Sequence, residues 1–128
     1  MRVDFFQDCV LHSLKRVQQD LVDAMFSKNE NGSGSLWSYA RDLSHLLFTI
    51  KAILSESSAK YGDEKFRNQM ACIRKIEKDV TAAALNKQDG LSETSTRKGL
   101  FPPLPITTAV YATMTVVETT IALIRSNG

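Results

Sequence analysis

Between Leu36 and Tyr61 apolar residues recur every three or four positions without a break. Leu36, Tyr39, Ala40, Leu43, Leu46, Leu47, Ile50, Ile53 and Leu54 occupy every a, d and e position of nearly three heptads. A strand turns its side chains to opposite faces at every second residue, so this spacing reads as a helix. An apolar sector that wide touches more than one neighbour, which places the helix at the centre of a bundle.

Three further segments supply the neighbours. From about Val3 to Ser27, the residues Val3, Phe6, Val10, Leu14, Val17, Leu21 and Ala24 form one narrow stripe. The run 29–35, Asn-Glu-Asn-Gly-Ser-Gly-Ser, then reads as a loop. Ser35 is placed to cap the central helix and Gly62 to end it. Asp63 follows at once as the cap of a third helix, about Glu64 to Asn86, which buries Phe66, Met70, Ile73, Ile76, Val80, Ala83 and Ala84. So short a turn makes the second and third helices antiparallel neighbours.

The last segment, Thr107 to Arg125, is rich in Val, Ile, Thr and Tyr, a composition that favours strand. Its length without a turn signal exceeds an ordinary strand, and Val110, Met114, Val117, Ile121 and Ile124 keep a helical stripe. It is read as a helix. Before it lies the longest irregular stretch, Asp89 to Pro105, where Leu100, Phe101 and Leu104 are expected to anchor the chain to the bundle. Some sixteen residues extend about 50 Å, more than the length of a 25-residue helix. The direction of the last helix is therefore open.

The expected architecture is all-α: one domain over residues 1–128, an antiparallel four-helix bundle with a long connection before the last helix. A chain of 128 residues buries about two-thirds of its unfolded surface, enough to fold without metal or disulfide. Cys9 and Cys72 have no His or Cys at ligand spacing and read as free thiols of a reducing compartment. Asp4 and Asp8 interrupt any signal-peptide run at the N-terminus. Six threonines and Glu118 within Ile106–Ile124 argue against a membrane span. The expected location is the cytoplasm.

Chemistry-bearing residues are few. His12 and His45 both point away from the apolar stripes of their helices. His12-Ser13-Leu14-Lys15 resembles the His-x-x-Lys start of histidine phosphotransfer domains, which implies a phosphorylatable His12; Arg16 stands where that family carries a small residue. Arg41 and His45 resemble the Arg-to-His pair of the all-helical HEPN ribonucleases, with three residues between them where that family has four to six. Asp42 and His45 form half of a bundle metal motif, without a second copy. Glu118 is the acid expected to be half-buried.

On the third helix Arg67, Arg74 and Lys78 step along one outer face beside Lys75, a candidate basic surface diluted by Glu64, Glu77 and Asp79. No aromatic on that helix face serves to stack a base, and the net charge of +2 adds no general attraction for nucleic acid. On the last helix Ala109, Val116 and Leu123 recur by sevens as a second apolar flank, an expected interface with a second copy or another protein, the alternative being that the Gly90–Pro105 connection folds over it within one chain. Pro102-Pro103-Leu104-Pro105 has Pro-x-x-Pro spacing, with Gly99 where ligands of that type carry a cation. The expectation is a non-catalytic protein–protein interaction module without cofactor or metal, such as an adaptor, accessory subunit, chaperone or inhibitor. Nucleic-acid binding or histidine phosphotransfer is the alternative.

Overall fold

The computed structural model describes residues 5–31, 36–85 and 104–126, with the side chains of 24–31, 36, 37 and 104 left aside. Among the described residues every position except Gly62 is helical. The elements are α1 (Phe5–Asn31), α2 (Leu36–Tyr61), α3 (Asp63–Leu85) and α4 (Leu104–Ser126). Val3, Ser35 and residues 89–103 of the expected irregular stretch, with the anchors Leu100 and Phe101, lie outside the described residues, while Leu104 and Pro105 belong to α4. Two boundaries differ from expectation. α1 continues through Asn29-Glu30-Asn31, a stretch expected to be loop, and α4 begins three residues early, with Pro105 in its first turn where the missing N–H costs nothing.

α2 and α3 are joined by one residue. Gly62 has φ +117°, its N–H donates to the Ser58 carbonyl at 2.9 Å, and its own carbonyl accepts from the Lys65 N–H at 3.3 Å. That φ is poorly accessible to residues carrying a Cβ, which is why glycine stands here. The pivot returns α3 antiparallel along α2, and the Lys51–Glu77 ion pair at 3.0 Å bridges the two helices farther along.

Side-chain contacts fix the remaining directions. Phe6, at the start of α1, meets Tyr61, at the end of α2, edge to face at 5.9 Å, and Tyr61 meets Phe66 at 6.4 Å. Lys60 Nζ lies 5.2 Å from the centre of the Phe6 ring, within cation–π range. The Gln7 side-chain amide donates to the Ile124 carbonyl at 2.9 Å, so the end of α4 lies beside the start of α1. The bundle therefore runs up, down, up, down. Leu85 and Leu104 fall at the same end, and the connection between them has no bundle length to cross.

The α2–α3 seam is the most extensive, followed by α3–α4, while α1 packs on α2 and α4. α2 also meets α4 across the core, so these two share the short diagonal. The centrality expected of α2 is real, and α4 shares it. The core contains Leu14, Leu21, Leu47, Ile50, Leu54 and Phe66, all without solvent exposure. Each side chain of this size contributes about 1.5–3 kcal/mol by leaving water.

α4 resolves its conflict between propensity and period in favour of helix. Its buried threonines satisfy their hydroxyls within the helix: Thr113 Oγ1 donates to the Ala109 carbonyl and Thr120 Oγ1 to the Val116 carbonyl, both at 2.7 Å. A buried hydroxyl bonded in this way avoids the desolvation cost of an unpaired one.

Two outcomes test this packing. Leu47→Ala or Ile50→Ala should cost about 2–5 kcal/mol in urea melts, against less than about 1 kcal/mol for exposed His45→Ala; equal losses at all three would contradict the bundle. Gly62→Ala should cost about 1–2 kcal/mol although its Cβ would meet nothing within 4 Å, because the cost lies in φ alone. An unchanged urea midpoint for that variant would refute the pivot.

Candidate functional site

On the outer side of the α2–α3 seam lies an open groove of about 420 Å³. Its floor is Phe66, buried, and Met70, half-buried. Arg67, Ala71 and Arg74 form the α3 rim, Ser55 and Ser58 the α2 wall, and Asp63 closes the end nearest Gly62. The groove follows from the sequence on each side. The α3 stripe that buries Phe66 and Ile73 leaves positions 67 and 74, seven residues apart, on one adjoining ridge.

Ion pairing sorts the cations of this face. Lys75 binds Asp79 at 3.1 Å across one turn, and Glu77 binds Lys51 of α2. Two of the three acids expected to dilute the basic surface, Glu77 and Asp79, are thus engaged with lysines, while Glu64 stays exposed at the start of α3. Among the described residues no carboxylate pairs with Arg67 or Arg74. Lys78 is exposed on the same ridge. The four-residue basic surface resolves into two arginines at a groove, one lysine beyond it, and Lys75 occupied by its own helix.

Two exposed apolar side chains extend the face away from Gly62. Phe48 is 69% exposed and lies seven residues before Ser55, on the same ridge of α2; Leu85 is 71% exposed and lies seven residues after Lys78, on the arginine ridge of α3. Neither residue was expected from the sequence to matter. Phe48 falls outside the a/d/e stripe, and only the antiparallel register brings its ridge alongside the α3 cations.

The other candidates do not converge. His12 and His45 are exposed on different helices. Arg41 lies with its Nε 3.9 Å from the carboxylate of Asp42, its sequence neighbour. Among the described residues no three His, Cys, Asp or Glu side chains come together in a way that could hold a metal ion. Cys9 and Cys72 are free and exposed. Burial pushes the Tyr39 phenol above its ordinary pKa.

α4 requires two corrections. Glu118, expected half-buried, is exposed, because it projects from the outer face beside Thr115 and Thr119. Ala109 and Val116, expected to form a free flank, are 6% and 7% exposed within the core, and Leu123 is half-buried against it. The physical reason is the number of neighbours: α4 packs against α1, α2 and α3, so its buried sector is wider than one stripe. The helix is long and apolar enough to cross a membrane by composition (Pro105–Ser126, mean hydropathy 1.3). Ile106, Ala109, Val110, Val116, Val117, Ile121 and Ile124 of this helix are buried in the bundle core.

Comparison with protein-family models, with curated proteins and with solved structures finds no match for this chain.

The burial of α4 generates its own test. Val116→Glu places a charge in the chain's own core and should abolish cooperative unfolding, an outcome expected of buried unpaired charge. A folded, soluble Val116→Glu protein by circular dichroism would show that the flank is free after all.

Proposed function

We propose that the protein is a non-catalytic protein–protein interaction module that presents the α2–α3 groove to a segment of another chain. The observation that carries this reading is the pair Arg67 and Arg74, two guanidinium groups without a carboxylate partner among the described residues, on the rim of a groove floored by Phe66 and Met70. Cations beside apolar surface are the composition of a binding face more than of a solvated one, since arginine is enriched where proteins meet. Phe48 and Leu85 add apolar anchors on the same side. The ordered core beneath the groove holds these groups in place before binding, which reduces the ordering cost of association. Action in the cytoplasm is part of the proposal, supported by the two free, exposed cysteines.

A photo-reactive side chain at Ala71, on the rim between the arginines, tests the reading in native extract. The expected result is a discrete adduct with another polypeptide that disappears when Arg74→Glu is added, while the same probe at Thr115 on the exposed face of α4 gives none. Absence of an adduct at Ala71, or equal adducts at both positions, would overturn the assignment.

A further inference from the structure

Resting on the reading of the α2–α3 groove as a docking face, we infer that its occupant is an acidic amphipathic helix bearing carboxylates seven residues apart with apolar side chains between them. The argument is one of matched spacing. Arg67 and Arg74 are themselves seven residues apart on one ridge, about 10.5 Å along the axis at 1.5 Å per residue. A second helix lying along the seam repeats the same interval, so two of its carboxylates, two turns apart, face both guanidinium groups at once. Arginine suits this role because its fixed fork can bind a carboxylate through two hydrogen bonds.

The surface between the arginines selects for the rest of the helix. Met70 and Ala71 lie between them, half-buried and exposed, and offer apolar contact to a leucine or methionine of the partner. Beyond the Lys51–Glu77 pair, whose charges are mutually satisfied at 3.0 Å, Phe48 and Leu85 present apolar area to the next turns. From Asp63 to Leu85 the ridge measures about 33 Å, the length of a helix of about 22 residues. This is the helix-in-groove mode of recognition, in which anchors recur at helical spacing.

A nucleic-acid backbone fits this surface less well. Asp63 closes one end of the groove and Glu64 stands beside it in the sequence, where a continuous phosphate chain would meet like charge. The free cations number too few for a binding energy built on counterion release. An amphipathic helix places its acids only where the arginines are and need carry none at the Asp63 end.

The test uses the full chain and a labelled helical peptide of about 22 residues, with Glu at two positions seven apart and Leu on the same face between and beyond them. Fluorescence anisotropy should show saturable binding that weakens as salt rises. Arg67→Ala and Arg74→Ala should each weaken it about fivefold, the scale of one exposed ion pair, and Phe48→Ala should weaken it with little change in salt dependence. The double variant Arg67→Glu/Arg74→Glu should lose the Glu peptide and bind its Glu→Lys counterpart, a gain that only a folded protein can show.

Four results would overturn the inference: no saturable binding of the peptide, equal binding of a glutamate homopolymer of the same length, tighter binding of a short oligothymidylate, or failure of the charge-swapped pair. Failure here alongside an Arg74-dependent adduct at Ala71 removes the acidic helix and leaves the docking face; loss of both removes the docking face as well.

Discussion

The α2–α3 hairpin sets the register on which the other contacts depend. One glycine in a left-handed conformation reverses the chain, and the next two turns of α3 then have no freedom to slide along α2. The register brings Glu77 to Lys51 and leaves the α3 arginines on a groove walled by Ser55 and Ser58 of α2, with Asp63 as the acid in its lining. It also collects Tyr61 and Phe66 at one end, where Phe6 and the cation of Lys60 join them and hold the start of α1. The half-buried ion pair at the surface of the seam itself contributes little, up to about 1 kcal/mol. Its importance is geometric, because the Glu77 carboxylate it engages is withdrawn from the α3 arginines.

The core and the groove are two sides of one allocation of residues. α2 spends its widest apolar face inward on three helices, and among its described side chains Phe48 is the large apolar residue left on the outer face. α3 has a narrower buried stripe and can carry cations along its rim. α4 buries two threonines as well as aliphatics, each hydroxyl donating to the carbonyl one turn back, where α2 buries a serine, Ser57. A residue type that favours strand on average is thereby made compatible with a central helix.

Much of the architecture was legible from periodicity. The stripe in α2 predicted seven positions that are buried in the structure, from Tyr39 to Leu54, with Leu46 half-buried. Gly62 announced its own role because a glycine followed at once by Asp63 reads as the end of one helix and the cap of the next. Asn29 to Asn31 misled, since polar residues at a helix end look the same as a loop when no neighbour is known. Val116 and Ala109 misled for the opposite reason: a helix wheel shows which residues share a side but not how many partners that side has. Glu118 followed from the same gap. The groove was half legible, because the arginine ridge is local to α3 while its opposite wall and the pairing of Glu77 depend on register between helices.

The antiparallel placement of α4 has a consequence for how the chain tolerates change. Because Leu85 and Leu104 end at the same pole of the bundle, the residues joining them are under no requirement of reach. Reducing such a link threefold lowers the closure entropy by only about 1 kcal/mol, and lengthening it is similarly inexpensive. Natural variation in length, or the insertion of another domain, can therefore accumulate at this pole without moving any core side chain. The opposite pole, where Gly62 leaves a single residue between helices and aromatic rings meet across three of them, has no such latitude. The molecule thus has one end where its length can drift and another where it is fixed, and the arginine groove begins at the fixed end.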